Sequence, residues 1–200
     1  MIRTYFPPAP TPGDVSYYIQ RGATLSTYRL LGSVSKVTLG TFTPSLNLIY
    51  AFPFPIGKTV RMDRLMFNLT VIAGAGGVAR AGIYRATSLR ELYPSGLVVD
   101  GGEFATTGAN GNRDAVVNVV LQPWLYWRVV LFGVAAPTIS ECGAGIPGMN
   151  DILGWQAANP PAPWSIATVA QAYGALPSTF PAGLALSATR CPAVWGRFAA

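Results

Sequence analysis

The chain has 200 residues, half of them hydrophobic and only 11% charged, with a formal net charge of +6. This is enough for one large domain with a sizeable core, but no apolar run reaches the roughly 18 residues of a membrane span, and the basic residues, scattered singly, form no stripe of the kind direct nucleic-acid binding favours. The sequence has no histidine, which excludes Ser-His-Asp and Cys-His catalysis and imidazole metal sites.

Pro (17) and Gly (22) are abundant, and both interrupt helices and suit turns. The expectation is an all-β protein. Its charge content is well below the usual quarter of a chain, so either its apolar surface is covered by obligate assembly or its surface is a neutral one of Ser, Thr and Asn. The residues leave both open.

Residues 1–33 read as an extended N-terminal arm. "YFPPAPTPGD" (5–14) is too rich in proline to form a ladder, and "VSYYIQRGATLSTYRLLGS" (15–33) has no clean period. Its aromatics Tyr5, Phe6, Tyr17, Tyr18 and Tyr28 are expected to dock on the domain or on a neighbouring subunit, since disordered segments are poor in such residues. The arm lacks the apolar core of a signal peptide, so synthesis in a cytoplasm is expected.

Residues 34–200 read as successive strands. "KVTLGTF" (36–42) and "LNLIYAF" (46–52) are short and bounded by Gly or Pro. "TVRMDRLMFNLTVI" (59–72) alternates, with Leu65, Phe67, Leu69 and Val71 on one face and Met66, Asn68 and Thr70 on the other. "AGAGG" (73–77) is a loose turn, "VARAGIYR" (78–85) a strand, "ATSLRELYPSG" (86–96) a connection, and "LVVDGGEF" (97–104) a strand in which Gly101-Gly102 permits a bulge. "VVNVVL" (116–121) and "WLYWRVVLFGV" (124–134) also alternate, and the intervening "QP" reads as a hairpin turn. The stretch 138–165 is a Gly/Pro-rich excursion with two tryptophans. "SIATVAQAYGALP" (165–177) suits a short helix or a strand, and "LALSATRCPAVWGRF" (184–198) a terminal strand pair.

Gly74, Gly76 and Ala79 match the G-x-G-x-x-A dinucleotide fingerprint, and Asp100 follows near the spacing of a ribose-binding acid, about 20 residues. Three features oppose that reading. Ala79, Ala81 and Ile83 alternate where a helix should lie, with Gly82 inside it. The preceding strand is too polar for the doubly buried first strand of a parallel sheet. The rest of the chain offers no alternation of strands with helices. Among the eight carboxylates, Asp100 and Glu103 form the only close acid pair, and solvated loop acids explain it better than a glycosidase or calcium site. "NLT" at Asn68 fits a glycosylation acceptor by chance. Cys142 and Cys191 either pair or stay reduced, the second being expected in a reducing compartment. Trp155, Trp164 and Tyr173, in or near the late loops, suit stacking on a sugar, anchoring a protein interface or capping the open ends of a sandwich.

The segments "FPIGKTVRMDRLMFNLT", "ARAGIYRATS", "LVVDGGEF", "VVLQPWLYWRVVLFG" and "YGALPSTFP" with "CPAVWGRF" together resemble β-sandwich virion proteins of tailed bacteriophages, of the head-decoration, tail-fibre and tail-tip types. The shared features are a strand ending in "GIY", a "GLVVD.G"-like strand, a "L.PG.YW" hairpin and a "YG.LP.TFP" segment; Trp124 stands where the hairpin usually has glycine. The resemblance covers residues 50–200 or so, leaves the arm outside, and carries over no catalytic residue. It implies a single jelly-roll-like antiparallel β-sandwich with an extended arm, and a non-enzymatic virion component without cofactor or metal, assembled in the host bacterial cytoplasm. Its expected partners are other capsid or tail subunits and further copies of itself, in a trimer for example. The alternative is a receptor- or glycan-binding module on the virion surface, with Trp155, Trp164 and Tyr173 as platforms for a host glycan.

Overall fold

A computed structural model describes residues 28–30, 39–88, 91–142, 166–187 and 191–199. These form β1 (Tyr28–Leu30), β2 (Leu39–Phe42), β3 (Leu48–Ile56), β4 (Val60–Val71), β5 (Val78–Ala86), β6 (Pro94–Ala105), β7 (Gly111–Leu121), β8 (Trp124–Gly133), β9 (Thr138–Cys142), β10 (Ile166–Ala170), β11 (Ala185–Ser187), β12 (Cys191–Pro192) and β13 (Trp195–Phe198). No helix occurs among the described residues, so the protein is all-β, as the composition predicts.

The strands make two antiparallel sheets packed face to face as a sandwich. One runs β1-β13-β4-β9-β12, with β7 added on β4 and β2 on β9; the other runs β11-β10-β3-β8-β5-β6. The main core lies between them and follows the period-two pattern. Leu65, Phe67 and Leu69 of β4 and Ala115, Val117 and Leu121 of β7 meet Phe52 and Phe54 of β3, Ala81 and Ile83 of β5, and Val130 and Phe132 of β8. Phe67 joins the layers, its ring centroid 5.5 Å from those of both Phe132 and Phe104. Such pairs add roughly 0.5–1.5 kcal/mol each beyond their burial. Val71, placed with the inward residues by its spacing, is exposed, because β4 ends there.

A second apolar cluster lies on the far side of the six-stranded sheet. It contains Ile49 and Ala51, Tyr84 and Ala86, Leu125, Trp127, Val129 and Leu131, with Leu176 and Phe180 from the segment after β10. Both faces of β3 and β8 are therefore buried. β3 also runs through Pro53 and Pro55 to Ile56, beyond the sequence-based end at residue 52. Gln171 N donates to Asn47 O, so odd-numbered residues of this strand turn their amides toward β10. Among the described residues that strand pairs only as far as Ala51. The prolines thus fall where the ladder asks for no donor.

The connection at Gln122 and Pro123 is not a hairpin turn. β7 pairs with β4 in one sheet and β8 with β3 in the other. Ile56 faces Trp124 on one side of this connection, and Val60 faces Leu121 on the other. The connections 57–59 and 122–123 therefore run side by side as the bend of one two-stranded ribbon, tied by Thr59 Oγ1 and Gln122 Oε1 at 2.7 Å. At the opposite end β4 pairs with β9 through Val71 and Thr138, while β5 pairs with β8 through Val78 and Gly133. There the connections 72–77 and 134–137 make a second ribbon bend. Residues 106–110 join β6 to β7 at that same end, and Thr106 bonds the backbone of Ala73 and Gly77.

The late segment 166–170 is a strand. The expected terminal pair does not form as such: β11 adds to β10 in one sheet, whereas β12 and β13 join β9 and β4 in the other. The bulge expected at Gly101-Gly102 is present. Arg80 faces Glu103 and Gly82 faces Asp100, leaving one extra residue in β6, and Gly102 has a φ of 78°, which glycine adopts without a Cβ penalty.

Candidate interaction surfaces

The "YGALPSTFP" motif forms a strap across the outer face of the six-stranded sheet. Tyr173 N donates to Asn47 Oδ1 (2.9 Å) and Leu176 N to Asp100 Oδ2 (3.0 Å). Leu97 N donates to Ser178 O, and Phe180 N to Ser95 O at 2.7 Å. The buried Tyr84 hydroxyl donates to Pro177 O at 2.7 Å, and Phe180 meets the Tyr84 ring edge-on at 5.0 Å. Gly82 and Gly133 make room: a Cβ on the first would crowd Leu176, and one on the second the Tyr173 ring.

Asp100 organises this face. Its Oδ2 accepts from Arg80 Nη1 (2.8 Å) and from Leu176 N, and its Oδ1 accepts from Gly102 N across the bulge (2.9 Å). Burial pushes the Tyr84 phenol well above its ordinary pKa, and the Asp100 charge adds to the effect. Tyr173 is pushed up to about 12, mainly by burial and further by the carboxylate of Glu103. Tyr173 is thus the one expected glycan-platform residue that is described, and its ring lies against Gly133 beneath it. Trp155 and Trp164 lie outside the described residues. So do Tyr5, Phe6, Tyr17 and Tyr18 of the expected arm. The backbone of Tyr28 pairs with Arg197 in β13.

Among the described residues two apolar surfaces are exposed. β7 pairs with β4 alone among the described strands, β6 packs beside it where Gly101 sits against Ala115 and the Val116 carbonyl, and its outward face carries Val116 (55% exposed) and Val120 (57%). Asn118 between them has a φ of 35°, and Arg61 grips its Oδ1 through Nη2 (2.7 Å) and Nε (3.1 Å). The register also slips between Met62 and Arg64 of β4. A bulge of this kind twists an edge away from unwanted strand pairing while leaving its side chains available. The second surface is the far end of the sandwich, where Val71, Ile72 and Val134 (68% exposed) project from the ribbon bend. The alternation of β7 signals the first surface in the sequence. The second depends on two bends 60 residues or so apart coming together, which no local pattern conveys.

The nucleotide fingerprint is resolved by the same bend. Gly77 N donates to Gly74 O at 3.1 Å in a tight turn, and the next element is the strand β5 instead of a helix. Among the described residues no helix N-terminus faces Gly74–Gly77 to receive a phosphate, and the Asp100 that would hold a ribose holds Arg80 and the strap. Glu103 is exposed and sits opposite Arg80 across the ladder. Among the described residues no group of three or more Cys, Asp or Glu side chains comes together as a metal site would need. No protein-family model matches the chain, and no curated protein matches it.

Proposed function

We propose that the protein is a non-enzymatic structural component of a tailed-phage virion, a capsid-decoration or tail/fibre subunit that assembles with its neighbours through apolar faces and its N-terminal arm. The observation that carries this reading is the exposed aliphatic face of β7, Val116 and Val120, on a chain of which only 11% is charged. The sequence motifs resembling phage β-sandwiches support it. So do the ribbons that bend from one sheet into the other at both ends, in keeping with a jelly-roll-like plan. The alternative glycan-binding role draws less support from Tyr173, because one face of its ring is already occupied by the sheet.

The test is the assembly state of the full-length protein by light scattering. A homo-oligomer, such as a trimer, is expected at micromolar concentration, and the double substitution Val116→Glu with Val120→Glu is expected to weaken it tenfold or more. Both positions face water, so the variant should keep its thermal transition within a few degrees. A wild-type chain that stays monomeric at such concentrations, alone and with purified virion subunits, would refute the proposal.

A further inference from the structure

Cys142 and Cys191 are the only two cysteines of the chain. They are far apart in sequence, yet they face each other directly across the β9–β12 ladder, where Cys191 is the Cα partner of Cys142 and Pro192 that of Glu141. The hydrogen bonding fixes this register independently. Ala193 N donates to Ser140 O at 2.9 Å, which makes that pair a hydrogen-bonded one. Along an antiparallel ladder the two pair types alternate. Pro192, which has no N–H to give, thus falls on the non-hydrogen-bonded position, and the two cysteines fall on the next hydrogen-bonded one. Residues so paired have Cα atoms about 5.5 Å apart, near the middle of the range of about 4.4–6.8 Å that a disulfide spans.

We infer that Cys142 and Cys191 are a built redox site, a thiol pair that closes to an intramolecular disulfide when the protein meets oxidising surroundings. The strands bring the two positions together before any covalent bond exists, so closure asks only for a local shift that draws the two Cβ atoms to about 4 Å. In the reaction one thiolate attacks a small-molecule disulfide such as oxidised glutathione, forming a mixed disulfide and releasing one thiol. The second cysteine then displaces the other half as a second thiol. Two protein thiols lose two electrons and two protons, and the oxidant is reduced to two thiols. The bond staples β12 to β9 and closes the chain between residues 142 and 191 into a loop. Closing a loop of that length removes entropy from the unfolded chain. The inference does not depend on a virion role, and holds for the chain in any setting that turns from reducing to oxidising.

The full-length protein is incubated with oxidised glutathione, quenched in acid, and digested without reduction. The expected product has no disulfide between chains, is lighter by two hydrogens per chain, and shows no thiol reactive under denaturant and one linked peptide pair containing both cysteines. Its melting temperature should rise by about 10 °C and return on addition of a reducing agent. Cys191→Ser should take up one glutathione, gain no such rise, and otherwise melt like the reduced wild type. Two glutathione adducts without a cross-link, or cross-linked dimers in place of the internal bond, would overturn the inference. So would thiols that stay unreacted in the folded protein.

Discussion

Asp63 illustrates how single side chains fasten this sandwich. It lies beside the register slip of β4, and both its oxygens accept from Arg197 of β13, at 2.9 Å from Nε and 2.6 Å from Nη2. The fork-to-carboxylate geometry is the strong form of an ion pair, and it ties the last strand to the centre of its sheet. The Arg197 hydrogen bonds are the main cause holding the Asp63 carboxyl below its ordinary range, against an opposing effect of burial. A depressed folded pKa means that this contribution is complete above the unfolded value, about 3.9, and is lost as pH falls through the folded one. Asp63→Asn is therefore expected to cost about 1 kcal/mol at pH 7. The gap from wild type should narrow below about pH 4, as urea denaturation at pH 7 and pH 3 can measure.

At the scale of elements, the strap at 171–184 seals an apolar face that would otherwise be solvent-exposed. Its fastening depends on Asp100, whose carboxylate collects Arg80, the bulge amide of Gly102 and the strap amide of Leu176. Asp100→Asn removes the charge that makes these bonds strong, and should cost roughly 1–2 kcal/mol. Because the strap contributes few backbone ladders of its own, the loss should appear locally. The amides of Leu97, Leu176 and Phe180 are expected to exchange with deuterium faster, while those of the doubly buried β3 and β8 follow global unfolding alone. Equal acceleration at all these amides would show that the strap is not a separate unit. The same elements show what the sequence conveys. Alternation places Leu65, Phe67, Leu69, Val117 and Leu121 inside, and the Gly101-Gly102 pair marks a real bulge. A period of two assigns faces but never partners, so Gln122-Pro123 reads as a hairpin tip although it is the bend of a ribbon shared with 57–59. Pro53 and Pro55 read as a strand end because the end of the described β10 ladder at Ala51 is a tertiary fact. The strap was equally hidden, since its apolar residues find their partners in β5, β6 and β8 instead of next to one another.

For the whole molecule, the distribution of charge and apolar surface sets how it should associate. The net charge of +6 comes from dispersed residues, several of them engaged internally: Arg80 with Asp100, Arg197 with Asp63, and Arg61 with Asn118. Arg113 is spent on the backbone of the 105–109 turn, through the carbonyls of Ala105, Thr107 and Ala109. The exposed valines of β7 and of the far end carry no charge at all. Association driven by these surfaces is a matter of removing apolar area from water, and exposed charges add little to it once salt screens them over about 8–10 Å. Raising sodium chloride from 50 to 500 mM is accordingly expected to leave the assembly constant unchanged within about twofold, and sodium sulfate, which strengthens apolar burial, to increase it. Titration calorimetry of dilution should give a negative heat-capacity change of association. An assembly that instead falls apart steeply with chloride would place the contact on the arginines, and would move the interface away from the β7 face that the valines mark.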